Sequence, residues 1–428
     1  MNLIPLKYQK VNYFIDALFF FLVSGGALLL YAKLWGVSDR SSGNLLFQIV
    51  SLTIYGWAFI KLLTVYKYKA TNIVLKTLPL FILIVFCLTS TLWSVEPFTA
   101  FRRAVALCLT YGYCLFLVSK YEIDELLYVS FLVCIYITVF GCIAVAIPGW
   151  GIDNLNSTYS TAIRGFAGHK NDFGRYVAIG ILVLWYLFRS NKIAMKLFVA
   201  IVCFFTVLLF LSEARTPLAV LILVILFTFL SQMYVTGKFK QRSNKIYSFK
   251  FRMLIFAIVI PVILVLIGYM MSYILEVLGK DMTLTGRTYI WQYALDYGEQ
   301  HKWFGAGYRT FWVDGWGTYT FWGTNSTISN GHNGFIDVWL ELGYVGFAIY
   351  LFFILSYFKF SMLPIKNSVG MANAQVFSFS LMIFYLCYSI TEQMTLEQSE
   401  LLWMLLMIFY MAIRKITPSQ LNKYNGYR

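Results

Sequence analysis

An all-α protein threaded many times through a membrane is the fold this sequence predicts, and three observations predict it. Of 428 residues, 60% are hydrophobic and only 12% are charged, a balance far from that of a water-soluble domain. The mean hydropathy is +0.71. Apolar runs of about 20 residues, each long enough to cross a bilayer, recur along the whole length. The expected architecture is a polytopic integral membrane protein: a single membrane domain over 1–428 with about twelve transmembrane helices. One large outer-face loop, 276–331, lies within it and contains short helices.

The spans are expected, in order, at 13–34, 44–65, 72–92, 100–119, 126–147, 174–188, 195–211, 217–235, 253–274, 334–358, 374–390 and 401–413. The first contains Asp16 and is followed by no small-residue cleavage site, which marks a retained span rather than a removable leader. The fourth is led in by Trp93-Ser94-Val95-Glu96-Pro97, then Arg102 and Arg103. Gly168-His169-Lys170-Asn171 and then Arg175 introduce the sixth. The eighth begins at Arg215-Thr216-Pro217, where Thr216 can cap and Pro217 suits the first helical position. Gly331-His332-Asn333 leads into the tenth, which carries Asp337 and Glu341 one turn apart. The last two are the least sharply marked. Seven cysteines all fall in apolar runs without metal-ligand spacing, and read as small buried hydrophobes.

Charge sets the orientation. With the N-terminus inside, 22 of the 34 lysines and arginines fall on that side. Cytoplasmic loops carry such an excess, so both termini are expected in the cytoplasm and 276–331 on the periplasmic or extracellular face. The net charge of +15 is therefore a matter of topology, and no nucleic-acid partner is expected. The other twelve cations, Arg102, Arg103, Arg164, Lys170, Arg175, Arg215, Arg287 and Arg309 among them, stand where that rule disfavours them. Several lie at outward helix N-termini, which attract anions through free N–H groups and the helix dipole. If these mouths converge, they form a site for a diphosphate.

His332 is one of three histidines, with His169 and His301. It can take a proton from an attacking hydroxyl, or merely cap a helix. Arg215 sits in a tight link, 211–217, where an unpaired arginine near hydrocarbon is costly. Its partner is either Glu213 or a phosphate, for which a planar guanidinium is well shaped. Arg287 opens a helix expected over 286–297, sharing a face with Trp291. The loop 276–331 holds thirteen aromatic residues. Among them, Trp291, Trp303, Tyr308, Trp312, Trp316 and Trp322 can stack on sugars or anchor the loop at the membrane interface. Gly305-Ala306-Gly307-Tyr308 allows a tight turn or a close backbone approach. No acidic cluster on the outer side calls for a metal.

Four stretches resemble the O-antigen polymerase and ligase superfamily of bacterial membrane proteins. They are Gly168-His169-Lys170-Asn171-Asp172-Phe173-Gly174, Ser212-Glu213-Ala214-Arg215-Thr216, Thr285-Gly286-Arg287-Thr288 with Trp291, and Gly331-His332-Asn333-Gly334-Phe335 leading to Glu341-Leu342-Gly343. The resemblance covers about 93–358 and is densest over 165–346. The His-Lys-Asn stretch and the Gly-Arg-Thr to Gly-Ala-Gly-Tyr pattern are similar to the exopolysaccharide-production polymerase branch in particular.

What the resemblance implies is inverting, metal-independent glycosyl transfer without a cofactor, at the outer face of the bacterial inner membrane. His332 would activate the acceptor, while Arg215 and Arg287 would hold the diphosphate of an undecaprenyl-diphosphate-linked glycan donor. His169, Lys170, Asn171, Arg175, Trp291, Tyr308 and Asn333 would contact substrate. A polymerase takes a lipid-linked repeat as acceptor; the alternative, a ligase, takes lipid A core or protein. A chain-length regulator and a flippase are the partners implied, besides membrane lipids. The rival from another class is a lipid-linked glycan transporter, which would line a path through the membrane midplane with polar residues.

Overall fold

The computed structural model describes residues 6–27, 30–31, 34, 45–152, 162–236, 287–313, 331–362 and 369–416. Among them the structure is helical, with one isolated antiparallel bridge between Ile152 and Ile163. The helices are α1 (Leu6–Val23), α2 (Leu45–Thr64), α3 (Lys67–Lys76), α4 (Leu78–Thr89), α5 (Pro97–Lys120), α6 (Ile123–Ala146), α7 (Lys170–Arg189), α8 (Met195–Leu211), α9 (Arg215–Thr236), α10 (Arg287–Gly298), α11 (Gly334–Met362), α12 (Val369–Ser389) and α13 (Leu401–Ile416). Their starts follow local chemistry. Pro97 opens α5, where its missing N–H costs nothing. A reciprocal capping box between Glu122 and Glu125 opens α6.

Among the described residues α2, α5, α6 and α11 are long and apolar enough to cross a bilayer, and α3 with α4 makes a fifth if that bent pair is one span. This is fewer than the twelve expected. The ninth expected span, 253–274, lies outside the described residues. The third, 72–92, is not one helix: α3 and α4 meet at Thr77 with a bend of 91°. Pro79 in the first turn of α4 cannot donate into a preceding turn, so a straight helix cannot run through it. α3 buries Ala70 and Ile73 and exposes Lys67, Tyr68 and Lys69.

α13, one of the two least sharply marked in sequence, is buried along nearly its whole length. Every residue from Leu401 to Ile413 is buried, as befits a helix apolar all round. It packs on α5, α11 and α12. By contrast α2 and α8 leave Leu52, Phe59, Ile60, Val207 and Phe210 exposed, the surface a lipid-facing helix presents. Inside the bundle, Asp16 of α1 pairs with Lys120 at 2.5 Å and accepts the Tyr121 hydroxyl. An acid within an apolar helix is thus matched by a cation.

One break shapes the end of the bundle where α11 begins. Gly343 interrupts α11 with φ 66°. The carbonyls of Leu340 and Glu341 accept instead from the N–H groups of Ala306 and Gly307, both at 2.9 Å. In return Tyr344 and Val345 donate to the carbonyls of Lys302 and Trp303, at 2.8 and 3.1 Å. Residues 302–307 form a strap that takes over the hydrogen bonds the break would orphan. The glycines are sterically required: a Cβ on Gly305 (φ +73°) would overlap the Glu341 carbonyl, and one on Gly343 would overlap the strap backbone.

Candidate active site at converging helix mouths

The N-termini of α7, α9 and α11 lie at one end of the bundle. His169 caps α7, its Nδ1 accepting the Asn171 N–H at 3.2 Å. Gly174, one turn in, packs against the turn before α9, where an added Cβ would run into Ala214 and stand 3.1 Å from the Ser212 hydroxyl. This close approach brings the α7 mouth beside Arg215. The link between α7 and α11 is longer. Asn171 donates from Nδ2 to Glu392 Oε1 at 3.1 Å, and the other oxygen of Glu392 lies 3.7 Å from His332 Nδ1.

His332 is held from both sides. Its own backbone is left-handed, φ 48°, a conformation non-glycine residues adopt at a cost. Before it, the Gly331 peptide is fixed twice: Gly331 N–H donates to Asp337 Oδ1 at 3.1 Å, and the Trp291 indole donates to the Gly331 carbonyl at 2.7 Å. Asp337 Oδ1 also accepts the Trp312 indole at 2.9 Å. After it, Asn333 caps α11, its Oδ1 accepting from Phe335 and Ile336 N–H at 3.0 and 3.2 Å. His332 itself stays part-exposed, at 39%. A rigid mount with an open imidazole is what proton transfer to a bound hydroxyl requires.

The predicted arginines fare differently. Arg215 is the first residue of α9 and is exposed. Arg287 opens α10 one turn before Trp291, which places that helix mouth beside Gly331; its side chain lies outside the described residues. Arg175 is 3% exposed and enclosed: it donates to Glu400 Oε2 at 2.9 Å and Asp172 Oδ1 at 3.2 Å, between the Tyr176 and Tyr388 rings. Tyr176 and the Leu402 N–H also donate to Glu400. Burial pushes the Glu400 carboxyl up to about 7, against the pull of Arg175. Lys170 is buried too.

Tyr308 is wholly buried, its hydroxyl donating to the Leu396 carbonyl and Gln398 and its N–H to Ser90 Oγ. Burial holds its phenol well above the ordinary value, so it remains a donor. It pins the strap to the loop 390–400 and presents no open ring face. Beside it Arg309 pairs with Glu397 at 3.4 Å, and Arg103 donates to the Arg309 carbonyl. Burial works to discharge the Arg309 guanidinium; Glu397 and Glu341 outweigh it and hold it charged. Trp316 and Trp322 lie outside the described residues.

Sequence reasoning passed over the loop 390–400, whose Glu392, Glu397 and Glu400 each face a different part of the site. The available signal was three carboxylates in nine residues between two apolar helices.

Residues 200–351 match a family model described as O-Antigen ligase. A stretch of 81 residues is 35% identical to the exopolysaccharide production protein ExoQ of Rhizobium meliloti. That match takes in 18% of this chain and spans about a fifth, 19%, of that protein's length. The family segment contains Arg215, Arg287 and His332, while His169 to Arg175 and the loop 390–400 fall outside it. Over that segment, about a third of the chain, the protein is similar to the O-antigen ligase family.

Proposed function

We propose that this protein is a membrane glycosyltransferase that joins lipid-linked oligosaccharide repeats into a surface polysaccharide. The growing chain on undecaprenyl diphosphate is the donor, and a fresh lipid-linked repeat supplies the acceptor hydroxyl. His332 removes the hydroxyl proton as the oxygen bonds to the anomeric carbon from the face opposite the diphosphate. The C–O bond to the diphosphate breaks, and the lipid diphosphate leaves with the electron pair. Arg215 and Arg287 neutralise the charge gathering on it, a task that needs no metal. The site faces the periplasm in this reading.

The observation that carries it is the mounting of His332: a part-exposed imidazole fixed by Asp337, Trp291 and Asn333 at a helix mouth, on the end of the bundle where Arg215 opens α9. The name of the Rhizobium relative supports polymer synthesis over transfer to lipid A core. Ligation remains the second reading, because the family model that matches is that of a ligase.

The test compares His332→Ala, Arg215→Ala and Arg287→Ala with wild type, at matched membrane levels, by gels of lipid-linked and surface glycans. Loss of a general base lowers turnover about 10²–10⁴-fold. Single repeats accumulating without long chains mean polymerase. Long lipid-linked chains that never reach a final acceptor mean ligase. Normal glycans in all three variants refute the assignment and favour a transporter.

A further inference from the structure

We propose that Glu392 is the positioning carboxylate for His332: it fixes the imidazole and faces the charge that forms when His332 takes the acceptor proton. The inference rests on the reading of His332 as the base.

Three features of the loop 390–400 carry it. First, its three carboxylates are divided among partners. Glu400 is engaged by Arg175, Tyr176 and the Leu402 N–H, and Glu397 by Arg309. Glu392 faces His332, with Oε2 3.7 Å from Nδ1. Second, Glu392 is itself held. Its Oε1 accepts from Asn171 Nδ2 at 3.1 Å, so the carboxylate cannot swing away from the imidazole without breaking that bond. Third, it is only 16% exposed, where a negative charge is costly unless a cation or donors face it.

The chemistry follows from the two ring nitrogens. A carboxylate that takes the Nδ1–H leaves Nε2 as the proton acceptor. When the acceptor oxygen bonds to the anomeric carbon, its proton moves to the imidazole and the lipid diphosphate departs with the electrons of the broken C–O bond. The imidazolium then lies against Glu392, at a separation that tightens from 3.7 Å as the pair becomes oppositely charged. Asp337, the other nearby acid, is already committed to Gly331 and Trp312 through Oδ1 and sets the backbone. Glu392 acts on the ring.

The test uses the full-length protein in lipid nanodiscs and, as probe, the lipid-linked repeat extracted from the host strain lacking this protein. Initial rates are measured against repeat concentration, with thermal melting as the check on folding. Glu392→Gln keeps the shape and an oxygen for Asn171 but removes the charge. It is expected to lower kcat about 10–100-fold, with KM within about twofold and melting unchanged. Glu392→Asp keeps the charge and is expected to recover part of that loss, which keeps the test decisive if the Gln variant melts early. Wild-type kcat in Glu392→Gln, equal losses in the Gln and Asp variants, or a raised KM with kcat intact would each overturn the proposal while leaving His332 as the base. Full activity in His332→Ala would overturn the underlying reading itself.

Discussion

Removing one partner of the Arg175–Glu400 pair separates a brace from a substrate contact. Both side chains are nearly sealed from solvent, 3% and 6% exposed, and 2.9 Å apart. Arg175→Met leaves a buried carboxylate with only the Tyr176 hydroxyl at 3.1 Å and the Leu402 N–H at 3.2 Å. Stripping one member from such a pair costs about 3–5 kcal/mol. Even the lower figure changes the ratio of folded to unfolded protein more than about a hundredfold. Glu400→Gln should fall at the lower end, because Asp172 at 3.2 Å still faces the guanidinium. The double variant should lose about 1–3 kcal/mol less than the sum of the two, since neither charge is then stranded. The assay is unfolding of the purified full-length protein in detergent, followed by tryptophan fluorescence. The reasoning fails if Arg175→Met unfolds like wild type and instead weakens binding of a lipid-linked repeat; Arg175 would then be a substrate contact.

Two further outcomes follow from the strap. Gly305→Ala places a Cβ against the Glu341 carbonyl and forces a left-handed residue, at about 1–2 kcal/mol for the backbone alone. It also strains hydrogen bonds worth about 1 kcal/mol each, so earlier unfolding and lost polymer should appear together; a variant with wild-type melting would refute the strap. Tyr308→Phe keeps the ring but strands the Leu396 carbonyl, at about 1–3 kcal/mol. It should lower melting and leave KM alone, and a raised KM with unchanged melting would return Tyr308 to the substrate.

The apolar runs located most helices because each is governed by its own residues. The expected spans 44–65, 195–211 and 217–235 coincide with α2, α8 and α9 to within two residues. What escaped depends on distant partners. Gly343 alone does not announce a break, because a glycine can sit within a helix at modest cost. It breaks α11 because the backbone of 302–307 is there to accept and supply the four hydrogen bonds that the helix gives up. Nor does a short apolar run such as 401–413 announce its depth; length favours an edge position, and only its unbroken apolar circumference betrays a buried helix.

The site divides along the same line. His332, Asn333, Arg215 and the His169 cap were legible because each stands at a helix start, where spacing and dipole argue locally. Glu392 was not, since its meaning lies in Asn171, 221 residues upstream, and Glu400 meets Arg175 across 225. The positive-inside rule reads cations and is silent on acids, so an acidic turn on the side expected to be outside raised no flag. Yet eleven residues joining two deeply buried helices have little freedom to swing. A carboxylate placed there, tied to Asn171, can hold an imidazole steadily.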